Sequence, residues 1–190
     1  MFDFLIIYST TDGHTKIICE RIKNFLNDGN LVKLLSLEDA KKVDLSNFKK
    51  IIIGASIRYG KHSKELYKFI NLNKNILDQK KNAFFSVNVV ARKPEKNTAE
   101  TNPYINKFLK ISKWKPNKIS VFAGKVDYPN YNFFDKYIIK FIMFITKGPT
   151  DTSQSYEFTD WSKVDDFSEE FRNNYYCLLY TSPSPRDALE

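Results

Sequence analysis

The sequence predicts an α/β protein, a doubly wound five-stranded parallel sheet in the order 2-1-3-4-5 with a helical insertion after the fifth strand. Three observations carry this expectation. Short apolar runs alternate along the chain with stretches whose apolar residues recur at helical spacing. Some of those runs, such as "IIIGAS", are apolar without alternation, which suits parallel strands covered on both faces. The chain has 190 residues and 42% apolar content, enough for one sizeable core and hardly enough for two.

The elements follow in order. "FDFLIIY" (2–8) reads as a buried strand. Ile17, Ile18, Ile22, Phe25 and Leu26 then mark a helix, which "NDGN" ends. "LVKLLSL" (31–37) and "KKIIIGAS" (49–56) are the next strands. Leu66, Phe69, Ile70 and Leu77 mark the helix after them, with Ser63 as its cap. "NAFFSVNVV" (82–90) is the fourth strand, and Tyr104, Ile105, Phe108 and Leu109 the helix beyond it. "NKISVFAG" (117–124) is the fifth strand, and Trp161, Val164, Phe167 and Phe171 give a last helix. Residues 125–152 are too long for a simple connection and form the insertion. The end of the chain, about 176–190, carries two Ser-Pro steps and no period, and reads as a disordered or non-native tail. The domain is therefore expected to occupy 1–175.

Net charge is +8, which suggests an anionic partner. The tail holds only Arg186, Asp187 and Glu190 as charged residues, so the basic balance belongs to the body. Two cysteines, Cys19 and Cys177, give neither a metal spacing nor a disulfide framework, and two histidines, His14 and His62, make a zinc site improbable; no metal is expected. The apolar start lacks a basic lead and a cleavage site, so no signal peptide is expected. No apolar run reaches the roughly 20 residues needed to span a bilayer.

The first loop, "YSTTDGHT", joins the first strand to the first helix. Backbone N–H groups at that helix start have no internal partner, and the helix dipole favours an anion there. Hydroxyls of Ser9, Thr10, Thr11 and Thr15 can add donors, and Gly13 allows close backbone approach. The chemistry fits a phosphate monoester. A P-loop is excluded because no Gly-Lys-Ser/Thr follows. A carboxylate would repel a phosphate dianion, so Asp12 is expected to turn back and cap the helix, with His14 exposed or edging the phosphate.

The pattern hydroxyl-x-x-Gly-x-Thr after the first strand of such a sheet resembles the phosphate loop of flavodoxins, which bind FMN; Asp12 stands where their commonest pattern has Thr. Four later stretches narrow the resemblance: "IIIGASIRYGKH" (51–62), "FFSVNVVARKPEKNTAETNPYINKFL" (84–109), "AGKVDYPNYNFFDKYIIKFIMFITKGPTDTS" (123–153) and "YEFTDW" (156–161). With the first loop they look like the flavodoxin-type protoporphyrinogen IX dehydrogenases, over roughly residues 3–173. The resemblance implies non-covalent FMN and oxidation of protoporphyrinogen IX to protoporphyrin IX in haem biosynthesis. It also implies a membrane quinone, menaquinone or ubiquinone, as acceptor, and a peripheral place on the cytoplasmic face of the inner (plasma) membrane.

On that resemblance, the FMN site is expected at Ser9 through Thr15 (Ser9, Thr10, Thr11, Asp12, Gly13, His14, Thr15), at Tyr59, and at Ser86, Val87, Asn88 and Val89. Tyr59 would stack on the flavin ring; its alternative role is a surface turn tyrosine. Ser86 and Asn88 would bond the ring's polar edge through side chain or backbone. Arg58, Arg92, Lys93 and Lys96 share the rim and are the candidates for the two propionates of the substrate, because Arg forks suit carboxylates; solvated surface charge is the alternative for each. No catalytic base is evident, and His62 is expected as a solvent-exposed histidine at a helix start. The flavin would carry the chemistry.

Residues 131–147, "YNFFDKYIIKFIMFITK", read as one helix before Gly148-Pro149. Lys136 and Lys140 share one face, while Phe133, Phe134, Tyr137, Phe141 and Phe144, with neighbouring isoleucines, cover most of the rest. The pattern suits a helix lying in a membrane interface with snorkelling lysines. Packing into the fold or a homo-oligomer interface is the alternative. Three rival functions remain. A flavodoxin electron carrier is disfavoured by the positive charge, and a nucleic-acid binder by the lack of any recognised motif. A quinone reductase fed by NAD(P)H would be marked by rapid flavin reduction with nicotinamide.

Overall fold

The structure is a computed structural model that describes residues 2–173. The expected tail, with Cys177, lies outside the described residues. Five strands form one parallel sheet: β1 (Phe2–Ser9), β2 (Val32–Ser36), β3 (Phe48–Ser56), β4 (Lys81–Val87) and β5 (Lys118–Phe122), in the order β2-β1-β3-β4-β5. The expected topology is therefore the observed one. Its connections are α1 (His14–Leu26), the one-turn α2 (Leu37–Ala40), α3 (Lys64–Gln79) and α4 (Pro103–Ser112). The last helix among the described residues is α6 (Trp161–Arg172), after an insertion holding α5 (Phe133–Ile145) between two short strands, β6 (Lys125–Asp127) and β7 (Ser155–Glu157).

Successive side chains of a strand point to opposite faces, so each apolar strand feeds two cores. Leu5, Ile7, Ile51, Ile53 and Phe84 pack against Leu66, Phe69 and Ile70 of α3 and Phe108 of α4. Phe4, Ile6, Ile52 and Phe85 pack against Ile18 and Ile22 of α1 and Val164, Phe167 and Phe171 of α6. Each such side chain contributes about 1.5–3 kcal/mol when fully buried. Several helix starts are set by short polar side chains. Ser63 accepts from the Leu66 N–H, as expected, and Asn102 and Asp160 cap α4 and α6 in the same way.

Two strands end earlier than their apolar runs suggest. β4 stops at Val87 because Asn88 turns the chain: its side chain accepts from the Ala91 N–H and caps a 3-10 turn over Val89–Arg92. β5 stops at Phe122, and the chain passes through Ala123 and Gly124 into β6, which pairs antiparallel with β7 through Val126 and Tyr156. This pair closes the base of the insertion. Above it, Val126, Tyr128 and Met143 form a small core of their own, with Ile139 and Tyr156 packed against it. Met143 is the one buried residue of α5.

Candidate functional site

The carboxyl ends of β1, β3 and β4 meet where the strand order reverses, the place at which open α/β sheets take ligands. A cleft of about 150 Å³ opens there. One wall is the first loop, with Thr10, Asp12, His14 and Thr15; a second is Ser56 to Gly60 after β3; a third is Val87 to Val90 after β4. Lys125 and Val126 line its floor side, and Tyr104 and Tyr131 add aromatic surface. The insertion supplies the remaining wall through Ile139, Ile142 and Met143.

The first loop has features that an anion site needs. Gly13 is the cap residue of α1 and is left-handed, with φ of 83°, and a Cβ there would meet nothing within 4 Å. Its constraint is therefore conformational rather than steric. The Gly13 N–H is held by Thr10 Oγ1 at 3.0 Å. Thr15 is buried, and its Oγ1 has no hydrogen-bond partner among the described residues. A buried hydroxyl left unpaired at a helix start fits a site completed by a ligand oxygen, as the phosphate of FMN would be.

Two expectations for this loop are corrected. Asp12 does not cap α1; no side chain does, because Gly13 takes that position and Asp12 turns outward to Arg58. Of the two places expected for His14, exposure does not hold: it is buried, lines the cleft, and its Nε2 lies 2.6 Å from Thr159 Oγ1. The Thr159 hydroxyl donates its own hydrogen to the Ala123 carbonyl at 2.8 Å. His14 Nε2 must then be the donor to Thr159, which leaves Nδ1 a bare acceptor in the neutral ring. Burial, with Lys125 adding to it, lowers the His14 pKa and favours that neutral form. Ser9 faces Ser63 across 3.3 Å and Thr11 is exposed; neither lines the cleft.

Arg58 stands across the mouth. Its Nη1 donates to both oxygens of Asp12, at 3.1 and 2.8 Å, and its Nη2 donates to Asp135 of α5. The guanidinium lies 5.2 Å from the Tyr59 ring centre and 5.3 Å from that of Tyr131. Tyr59 is exposed, left-handed at φ 49°, and donates its hydroxyl to Asp135. Arg58 is thus already engaged with carboxylates of its own chain. Sequence reasoning missed Asp135, although it is the one acid in the apolar stretch 131–147.

The other rim cations diverge from expectation. Arg92 is not free: it donates to the Val89 carbonyl at 3.0 Å and to Thr146 O and Oγ1 at 2.9 Å, tying the turn after β4 to the end of α5. Lys93 and Lys96 are half-exposed and do not line the cleft. Ser86 is fully buried behind the cleft, where its Oγ lies 3.1 Å from His62 Nε2 and accepts from Asn88 Nδ2 at 3.3 Å. Asn88 and the flanking Val87 and Val89 do line the cleft. His62 is not a surface histidine. It is buried edge-on against Tyr67, Phe84 and Phe108, and burial, helped by Lys107, drops its pKa to about 4.

Comparison with known proteins agrees with this architecture. A family model described as a flavodoxin domain matches residues 5–153. The oxidised flavodoxins 1 and 2 of Bacillus cereus share the fold at TM-scores of 0.52 and 0.51, with 15% and 19% identity. They are matched over 96% and 99% of their length and cover 89% and 91% of this chain. Two relatives are more similar in sequence. Protoporphyrinogen IX dehydrogenase (quinone) of Leishmania major is 44% identical over 88% of this chain and 73% of its own. The Escherichia coli K12 protein of the same name is 38% identical over 87% of this chain and 92% of its own. The chain belongs to the flavodoxin domain family and, within it, to the family of those protoporphyrinogen IX dehydrogenases.

Proposed function

We propose that this protein binds FMN non-covalently in the cleft at the sheet's switch point and oxidises protoporphyrinogen IX to protoporphyrin IX, with a membrane quinone as electron acceptor. The observation that carries the reading is 38–44% identity to dehydrogenases of that name over 87–88% of the chain. The cleft supports it, since its phosphate-binding end and its aromatic and aliphatic end lie at one strand terminus. When bound, FMN supplies the redox chemistry, taking electrons from the porphyrinogen and passing them to the quinone.

The chain's own residues bind and position. The start of α1, with Thr10, Gly13 and Thr15, holds the phosphate. Asn88, Val87 and Val89 line the part of the cleft where the ring would lie, and Tyr59 lines it at the mouth. Ile139 and Met143 shield the cleft from water on the insertion side.

The same reading places the protein on the cytoplasmic face of the inner membrane as a peripheral protein. Eight large apolar side chains of α5 are exposed, from Phe133 at 70% to Phe144 at 71% and Ile145 at 62%. No helix among the described residues is long and apolar enough to cross a membrane. Such a helix can lie in the interface, where poorly soluble quinone and porphyrinogen are found. The test is anaerobic mixing of FMN-loaded protein with protoporphyrinogen IX, following flavin bleaching and porphyrin fluorescence. Bleaching in one turnover, with porphyrin accumulating beyond it only when a menaquinone analogue is added, is the expected result. A flavin that stays oxidised with porphyrinogen but bleaches with NAD(P)H would overturn it.

A further inference from the structure

A carboxylate in a phosphate loop needs an explanation. Asp12 directly precedes Gly13, the cap of α1, and lines the same cleft as Thr10 and Thr15. A phosphate monoester seated at that helix start would carry close to two negative charges at neutral pH beside a third on Asp12. Two strongly basic side chains line the cleft, and both already face acids: Arg58 holds Asp12 and Asp135, and Lys125 holds Asp127 at 2.9 Å. The charge at the loop is therefore not balanced by a spare cation. It is balanced by pairing.

We infer that Arg58 is a positioning residue of the phosphate site: its fork neutralises Asp12 and turns it away from the helix start, and through Asp135 it ties the phosphate loop to the insertion helix. Three features argue for this role over a grip on substrate carboxylates. Nη1 reaches both Asp12 oxygens, which fixes the direction of that carboxylate as well as its charge. The Arg58 side chain is only 19% exposed, so its pairs are partly shielded from water and their loss would be felt. The rings of Tyr59 and Tyr131 flank the guanidinium and hold its plane. A carboxylate arriving from solution would have to displace two carboxylates already in place.

The inference rests on the FMN reading above and predicts a discrimination that the reading alone does not. Riboflavin carries the same ring without the phosphate. Full-length wild type, Arg58→Gln, Asp12→Asn and the double variant are titrated with FMN and with riboflavin by flavin fluorescence, at low and high salt. Arg58→Gln is expected to weaken FMN at least about tenfold, or about 1.4 kcal/mol, while riboflavin shifts little. Adding Asp12→Asn should restore FMN to near the wild-type value, because the repelling charge is gone. Higher salt should narrow the Arg58→Gln deficit, as it screens the exposed Asp12. Equal losses for FMN and riboflavin without rescue would overturn the inference and make Arg58 a packing residue. Unchanged FMN affinity in Arg58→Gln would also overturn it. Wild type binding FMN no better than riboflavin would instead remove the phosphate-loop reading itself.

Discussion

The central strands and the insertion helix are built from the same kind of residue and meet opposite fates. In β3, Ile51, Ile52 and Ile53 are wholly buried, each between a strand neighbour and a helix. In α5, Phe141, Phe144 and Ile145 are more than 60% exposed, and Met143 alone is buried. Apolar composition therefore does not decide burial here. The sheet buries its side chains because helices cover both of its faces. The apolar side chains of α5 pack on the body mainly through Ile139 and Met143, with Asp135 and Thr146 tying its ends to Arg58, Tyr59 and Arg92, and its outer apolar side chains are exposed among the described residues. A contiguous exposed apolar patch of this kind marks a contact surface more than a failed core.

The largest expected effect tests the sheet side of that contrast. A Cβ on Gly54 would fall 2.2 Å from the Phe85 ring, which is buried in the layer against α6. Gly54→Val should lose about 3 kcal/mol or more of stability, seen as a lower urea midpoint or loss of soluble protein. An unchanged midpoint would mean that the strand interior is no more tightly packed than the insertion.

A second test uses His62, buried under α3 and α4 with a pKa of about 4. The unfolded chain takes up this proton near pH 6.5 and the folded chain only near pH 4. The unfolded state thus binds more protons between those values, so stability falls as pH drops through that window, by about 3 kcal/mol in all. His14, shifted in the same direction, adds to it. Glu65, held near about 2 by Lys68 and Lys41, and Asp127, held there by Ser155 and Lys125, lose their share only at lower pH. Urea midpoints from pH 7 to pH 4 should decline in wild type and decline less in His62→Gln. Equal slopes would place His62 in contact with water.

The smallest expected change in stability belongs to α5. Phe141→Ser with Phe144→Ser should move the urea midpoint by no more than about 0.5 kcal/mol, as exposed substitutions do. The same pair should abolish co-flotation with anionic lipid vesicles. A large stability loss that depends on protein concentration would instead show that a second copy covers this face, and the contrast with the sheet would then disappear.

Most of the fold follows from local pattern. The helix start at Ser63 rests on spacing within a few residues, and the strand order 2-1-3-4-5 on the alternation of five strand–helix units along the chain. The helix in 131–147 was equally readable, and so was its apolar girth. The errors arose where a side chain finds its partner far along the chain. Asp12 meets Arg58 across 46 residues and Arg58 meets Asp135 across 77, so neither the uncapped helix nor the occupied guanidinium could be read from spacing. His62 sits in a polar stretch of sequence, yet Tyr67 of α3, Phe84 of β4 and Phe108 of α4 close around it, and Ser86 of β4 lies against its ring nitrogen.

By itself, then, the sequence determined the sheet and its helices, because hydrophobic period and helix-terminus polarity are properties of neighbouring residues. Only the tertiary structure decided which charges are spent on one another and which apolar surface stays open. Pairing and burial depend on what the fold brings together, and Arg58, Asp12, Asp135 and the outer face of α5 come together, or stay uncovered, only once the chain has closed.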